Sequence, residues 1–89
     1  MNNNNRKAII YFEKAKGLAR QLNRKLDLAS NLYSIAYCYS QDGKYDKSLD
    51  YYFQSVRIYE ELKDDRRLAN AYLSIIEVYS ENKSFPKAL

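Results

Sequence analysis

Few residues in this sequence could do chemistry. It contains no histidine and a single cysteine, Cys38, so no imidazole is present to act as a general base or to activate the thiol. The same counts remove disulfides within the chain and most zinc sites. Glu60-Glu61 and Asp64-Asp65 are adjacent acids, which are typical of helix capping and solvated surface rather than of a carboxylate pair across a cleft. We therefore predict a protein that is not an enzyme, with no metal and no cofactor, in which Cys38 is a small buried hydrophobe.

The composition excludes several other classes of protein. The two glycines, Gly17 and Gly43, are isolated, so no glycine-rich phosphate loop is present. No apolar run reaches the roughly 20 residues that span a bilayer, and residues 1–5 lack the apolar segment of a secretory signal; we predict a cytoplasmic protein. With 46% hydrophobic and 29% charged residues but only two Gly and one Pro, the sequence favours packed helices over disorder or a small β-barrel.

The charge of +4 is concentrated near the start of the chain. Residues 1–28 hold seven basic and two acidic side chains, whereas residues 29–89 hold eight basic and nine acidic ones. A basic helix attracts acidic proteins or nucleic acid, or it is simply a solvated face. Because the basic residues are not continuous and are not interleaved with stacking aromatics, the solvated face is the preferred interpretation and nucleic acid is disfavoured as a partner.

The sequence repeats itself with a period of about 40 residues, and periods of this size mark stacked structural repeats. Residues 28–49 align with residues 68–89 at eight identical positions out of 22, whereas chance would give about one. The identical pairs are Leu28/Leu68, Ala29/Ala69, Ser34/Ser74, Ile35/Ile75, Tyr39/Tyr79, Ser40/Ser80, Lys47/Lys87 and Leu49/Leu89. The same shift aligns Tyr11 with Tyr51 and Leu22 with Leu62.

Each repeat contains two amphipathic helices. Apolar residues recur at steps of three and four, which predicts helices over 6–23, 27–41, 45–63 and 66–82 and a fifth from residue 85, with Pro86 in its first turn. Between them, Gly43 is expected to adopt a positive φ after a helix end, and Asp64 or Asp65 to cap the next helix. Short joints make consecutive helices antiparallel neighbours. The predicted fold class is all-α, a stack of antiparallel helical hairpins.

The repeated pattern resembles the tetratricopeptide repeat (TPR) family, whose signature begins with an aromatic, two apolar or small positions and a tyrosine. Leu32, Ile35, Ala36 and Tyr39 stand at these positions, as do Tyr72, Ile75, Ile76 and Tyr79 in the next repeat. Ser48-x3-Tyr52 and Ala8-x3-Phe12 match the second half of the signature and favour TPR over the RNA-binding pentatricopeptide repeats. The resemblance implies a right-handed α-solenoid, and the period of 40 is similar to that of the longer TPRs.

The resemblance divides the chain into a flexible lead-in over 1–5, the second helix of an incomplete repeat over 6–26, a complete hairpin over 27–65, and the beginning of the next repeat over 66–89. It implies a non-catalytic scaffold that binds a protein or extended peptide and belongs to a larger protein. The alternative function is a sensory or regulatory segment of a bacterial signalling receptor or transcription regulator. Uncovered repeat ends predict self-association or helix exchange between copies.

In TPR proteins, the first helix of each hairpin lines a concave groove. Helical spacing then gives the ligand-binding candidates, which are Ser30, Tyr33, Ser34, Tyr37 and Gln41 on one helix and Asn70, Leu73, Ser74, Glu77 and Glu81 on the next. Tyrosine, serine, asparagine and glutamate suit an extended peptide, because rings supply contact area and polar groups bond its backbone. Tyr33 and Tyr37 have a second interpretation, in which they pack on adjacent helices. Ser34 and Ser74 occupy a position where related TPRs often carry an asparagine that holds the peptide backbone.

Overall fold

The computed structural model describes residues 3–82, which form four α-helices and, within that range, no strand. They are α1 (Asn3–Gln21), α2 (Lys25–Gln41), α3 (Tyr45–Glu61) and α4 (Asp65–Asn82). Short joints separate them, and each helix packs mainly on its neighbours in sequence. The predicted all-α stack of antiparallel hairpins is confirmed. The predicted fifth helix, with Pro86, lies outside the described residues.

The first helix begins earlier than the sequence predicts. The predicted helix start at residue 6 is wrong by three residues, because α1 begins at Asn3, within the segment expected to be a flexible lead-in. Asn5 Nδ2 donates a hydrogen bond to Asp42 Oδ1 at 3.1 Å, which ties the first turn of α1 to the turn between α2 and α3. This contact gives an asparagine amide a partner that local sequence does not reveal, and it offsets the tendency of asparagine to disrupt helices.

The three joints share one backbone conformation. Asn23, Gly43 and Lys63 have positive φ values of 56°, 75° and 55°, and they are evenly spaced along the chain at half the repeat period. At each joint two amides bond back to the preceding helix; in the second, Gly43 N–H donates to the Ser40 carbonyl at 3.1 Å and Lys44 N–H to the Tyr39 carbonyl at 3.0 Å. This pairing is the Schellman motif, which satisfies the last carbonyls of a helix. The positive φ predicted for Gly43 is confirmed.

Alanine substitutions at the two glycines should have opposite effects on stability. An added Cβ would meet no atom within 4 Å at either Gly17 or Gly43, so only the backbone decides. We expect Gly43→Ala to lower the free energy of unfolding by about 1 kcal/mol, because alanine disfavours positive φ. Gly17→Ala, inside α1, should raise it by up to about 1 kcal/mol. Urea unfolding measures both changes, and a stabilising Gly43→Ala would contradict the conformation of this turn.

A side chain caps the start of α4 as predicted. The backbone N–H of Arg67 donates to Asp64 Oδ1 at 3.2 Å, and the Arg67 guanidinium lies 2.8 Å from Asp64 Oδ2. A carboxylate at this position satisfies an amide that has no partner within the helix and interacts favourably with the helix dipole. The beginnings of α2 and α3, at Arg24 and Lys44, have no such side-chain cap.

The core is built around α3, which lies between α2 and α4. Ala29 and Ala36 of α2 and Ala71 of α4 are fully buried in one cluster with Tyr52 and Val56 of α3. Alanine lets helix axes approach closely, so these positions set where the helices cross.

A buried hydrogen bond joins α2 and α3 at their crossing. Ser48 Oγ donates to the Ala36 carbonyl at 2.8 Å, and both residues are completely buried. A buried hydroxyl without a partner costs about 1–3 kcal/mol, so this bond is what makes a serine acceptable in the core.

Some residues predicted for the core are instead exposed. Tyr72, Ile76 and Tyr79 of α4 follow the same pattern as Leu32, Ala36 and Tyr39 of α2, but they remain largely open to solvent. Both sides of α2 are covered, whereas within residues 3–82 only α3 packs closely on α4. The predicted apolar stripes also include three residues that are at least 40% exposed, namely Leu22, Phe53 and Leu62.

The lone cysteine is placed as the sequence predicts. Cys38 is buried, and burial together with the nearby Asp42 raises the pKa of its thiol. A raised pKa keeps the group as the unreactive thiol at neutral pH.

Candidate functional site

A groove separates α2 and α4, which run parallel because each is antiparallel to α3. Its cavity has a volume of about 380 Å³. Five of the predicted candidates line it together. The lining residues are Tyr33, Tyr59, Arg67, Asn70, Leu73, Ser74 and Glu77.

Tyr33 both packs on an adjacent helix and lines the groove, and these are the two roles that the sequence leaves open. Its ring meets the Tyr52 ring edge to face, with centroids 5.1 Å apart, and its hydroxyl lies 2.5 Å from Ser74 Oγ. It therefore packs against α3, bridges to α4 and still lines the cavity. This bridge forms the floor of the groove and fixes the spacing of the two helices.

The serine hydroxyls are already engaged within the protein. Ser74 Oγ pairs with the Tyr33 hydroxyl, and Ser34 Oγ donates to the Ser30 carbonyl one turn earlier at 3.0 Å. Because a hydroxyl has only one proton to donate, Ser34 has no free donor for a peptide backbone.

The other candidates are less closely grouped. Tyr37 is exposed one turn beyond Tyr33 on α2, so its ring is available to a ligand although it does not line the cavity. Gln41 and Glu81 are exposed near the last turns of their helices. Ser30 lines a separate cavity of about 320 Å³ between α1 and α2.

Sequence reasoning missed two residues of the groove, Tyr59 and Arg67. Arg67 extends the spacing of the predicted α4 candidates back by one turn, so the helical stripe could have included it. Tyr59 belongs to the core stripe of α3 and reaches the cavity from below. Its burial raises the pKa of its hydroxyl, and nothing in the helical pattern distinguishes it from an ordinary core residue.

Charged side chains stand at the two ends of the groove. Arg67 neighbours Asp64, whose pKa its guanidinium lowers, and Glu77 is exposed further along α4. Their separation in sequence corresponds to about 15 Å of helix at a rise of about 1.5 Å per residue. The groove therefore has the Arg67–Asp64 ion pair at one end and the exposed Glu77 carboxylate at the other, with Asn70 and Leu73 between them.

Aromatic and charged side chains of α1, α2 and α3 form a second group of contacts. The rings of Tyr39 and Tyr51 stack with centroids 5.7 Å apart and an interplanar angle of 16°. Lys47 Nζ lies 5.4 Å from the Tyr39 centroid and Lys16 Nζ lies 5.7 Å from the Tyr51 centroid, so a cation flanks each ring. We refer to Tyr39, Tyr51 and Lys47 as the tyrosine–lysine cluster.

A hydrogen bond connects this cluster to α1. Tyr51 donates to Glu13 Oε2 at 3.1 Å, and Lys16 lies 2.6 Å from Glu13 Oε1. The lysine holds the pKa of Glu13 below its ordinary value. Burial and the neighbouring carboxylate raise the pKa of Tyr51 to about 12. These contacts join α1 directly to α3.

A larger cavity of about 640 Å³ opens between α1 and α3. Leu28 and Leu32 contribute apolar surface to it, and Arg20, Arg57 and Glu61 stand among its charged lining residues. Its lining mixes both signs of charge without the separation seen in the α2–α4 groove.

Within residues 3–82, no group of three or more metal-ligating side chains comes together. No helix in that range combines the length and apolar character needed to cross a membrane.

The repeat pattern has a counterpart among known families. A family model described as tetratricopeptide repeat matches residues 2–61, which is more than half of the chain. The chain belongs to the tetratricopeptide repeat family. TPR membership indicates a protein-interaction module, and the family is in general a non-enzymatic one.

The same arrangement of helices is seen in a designed protein. The solution NMR structure of the designed protein DA05 superposes with a TM-score of 0.82 at 24% sequence identity, covering 88% of this chain and 78% of that one. At this identity the likeness shows the fold alone. Among curated proteins, none matches the chain.

Proposed function

We propose that this TPR chain binds an extended peptide segment of a protein partner in the groove between α2 and α4, without catalysis. The observation that carries the proposal is the convergence of five predicted candidates on one cavity, which is lined by both exposed apolar and exposed polar groups. Leu73 and Tyr37 supply apolar contact, and the Asn70 amide can both donate to and accept from a peptide backbone.

The charges of the groove define the peptide. Glu77 favours a basic group at one end. At the other end, the Arg67 guanidinium can donate to an acidic group through the N–H groups that its bond to Asp64 leaves over. The roughly 15 Å between Arg67 and Glu77 spans about four to five residues of extended chain at about 3.3 Å each. The ligand we propose has an acidic and a basic side chain separated by this distance, with uncharged or aromatic residues between them.

The proposal depends on α2 and α3 forming one complete repeat and α4 opening the next, because the groove then lies between the first helices of two adjacent repeats. In this arrangement the buried tyrosines of α3 support the floor, and the ligand contacts come mainly from α4. Charged groups at the rim fix orientation and partner choice more than they add affinity.

Reversing the charge of Glu77 should change which peptides bind. Selection from a displayed library of random dodecapeptides should give a consensus with a basic residue near Glu77. With Glu77→Lys, the same selection should prefer an acidic residue there. Peptides selected on the unsubstituted chain should bind the variant about three- to tenfold more weakly, because the reversal replaces an exposed ion pair worth up to about 1 kcal/mol with a like-charge contact.

The matched control is Glu61→Lys. Glu61 is also an exposed helix carboxylate, but it lines the cavity on the other side of the stack, so its reversal should leave the consensus and the affinities unchanged. Isothermal titration calorimetry with one selected peptide compares both variants. A library that yields no consensus, or one that responds to Glu61→Lys as strongly as to Glu77→Lys, would exclude the groove as the binding site.

A further inference from the structure

The two ends of the described stack expose apolar helix faces. On α4, Ile76 is 58% exposed and Tyr79 is 48% exposed; on α1, Tyr11 is 68% exposed. Isolated exposed apolar residues are ordinary, but contiguous apolar faces on packed helices mark interaction surfaces.

A contact inside the same chain joins two helix faces that correspond to these exposed ones. A shift by one repeat period aligns α1 with α3 and α2 with α4. Tyr79 then corresponds to Tyr39, and Tyr11 and Lys7 correspond to Tyr51 and Lys47. All three residues of the tyrosine–lysine cluster therefore have a counterpart of the same type, one on the exposed face of α4 and two on α1.

We propose that α1 of a second copy packs on the exposed face of α4, as α3 packs on α2 within one chain. Tyr11 of the second copy would stack on Tyr79, and its Lys7 would lie over the Tyr79 ring. The small Ala8 would meet Ile76, where Ser48 meets Ala36 inside the chain. This partner is a second copy rather than an unrelated protein, because the chain carries both halves of a contact that it already makes internally.

Charge complementarity supports the same pairing. The helix dipole disfavours cations at a helix N-terminus and anions at a C-terminus. Yet α1 has no acidic residue in its first turn, where Arg6 stands, and α4 has no basic residue in its last turn. An antiparallel pair of α4 and the second copy's α1 places the basic first turn of α1 beside the C-terminal end of α4, where the helix dipole favours a cation.

This contact is head to tail, which has a consequence for assembly. Each copy offers one α4 face and one α1 face, and these faces differ. Such a heterologous contact adds copies until a ring closes or an open filament grows. The mass of the unsubstituted chain should therefore rise with concentration above its 10.5 kDa.

Two single variants test the geometry directly. Ile76→Arg blocks the α4 face and Tyr11→Arg blocks the α1 face, and both positions are exposed in the single chain, so circular dichroism should show unchanged helix content. In sedimentation equilibrium each variant alone should remain at 10.5 kDa. An equimolar mixture should form a 1:1 dimer of twice that mass, because one intact face of each kind remains.

The control is Leu73→Arg, at a position 60% exposed on the groove side of α4, which should leave association unchanged. An unsubstituted chain that stays monomeric at millimolar concentration would overturn the proposal; the α4 face would then have another occupant, such as the chain's own residues 83–89. Dimers formed by either blocked variant alone would also overturn it, since they would require a face that pairs with itself.

Discussion

Replacing Tyr52 by alanine is expected to lower the free energy of unfolding by about 3–5 kcal/mol, the range typical of deleting a buried aromatic ring. Tyr52 is 1% exposed and is the largest fully buried side chain of the described residues. It contacts Tyr33 on α2 and belongs to the cluster that includes Ala71 on α4. Small domains have total stabilities of only about 5–15 kcal/mol, so the variant should be partly or wholly unfolded at physiological temperature.

The neighbouring position provides the control. Phe53 lies on the same helix and is 40% exposed, so Phe53→Ala should cost about 1 kcal/mol or less. Tyr52→Phe keeps the ring and separates packing from the hydroxyl. Urea unfolding followed by circular dichroism compares the three variants. If Tyr52→Ala and Phe53→Ala lowered the free energy of unfolding equally, the face of α3 that carries Tyr52 would not be the face that packs into the core.

The second large effect is expected in alkaline solution. Burial raises the pKa of Tyr52 to about 12, whereas a tyrosine in an unfolded chain ionises near 10. The neutral ring is thus favoured in the folded state, and its contribution to stability is complete below pH 10. As the pH rises from 10 to about 12, the unfolded state loses this proton first, and stability falls by up to about 1.4 kcal/mol per pH unit.

Urea unfolding midpoints measured from pH 7 to 11.5 test this dependence. We expect stability to change little with pH below 9.5 and to decline steeply above pH 10. Tyr51 adds to this decline in the same direction because its pKa is also raised to about 12. Tyr52→Phe should make the decline shallower. Tyr37→Phe, at an exposed ring, is the matched control and should follow the unsubstituted chain. If stability declined equally steeply with pH in Tyr52→Phe, the raised pKa of Tyr52 would not be the cause of the decline.

Features that depend on local pattern could be predicted from the sequence. The repeat period and the apolar stripes identified four helices, and their ends were correct within about three residues. Gly43 was predicted at positive φ because glycine is the residue that adopts it most easily. The same conformation at Asn23 and Lys63 was not predicted, because there the Schellman hydrogen bonds impose it on residues that carry a Cβ.

Only some of the residues that line the groove could be predicted, because the position of the others depends on how the helices cross. Asn70, Leu73 and Glu77 follow from helical spacing on one face of α4. The Tyr33–Ser74 bridge requires the actual separation of α2 and α4, which no spacing rule supplies. Tyr59 reaches the cavity from α3 because the fully buried Ala71 allows a close approach of α4, and that consequence appears only when the helices are assembled.

The joints at Asn23, Gly43 and Lys63 are evenly spaced, and each closes a unit that consists of one helix and one turn. Every helix packs mainly on the one before or after it in sequence, so most of the packing joins neighbouring segments of the chain. Low contact order of this kind is associated with folding in microseconds to milliseconds, since little chain entropy is lost before contacts form. Any adjacent pair of helices can begin the process, and the rest can then add one helix at a time.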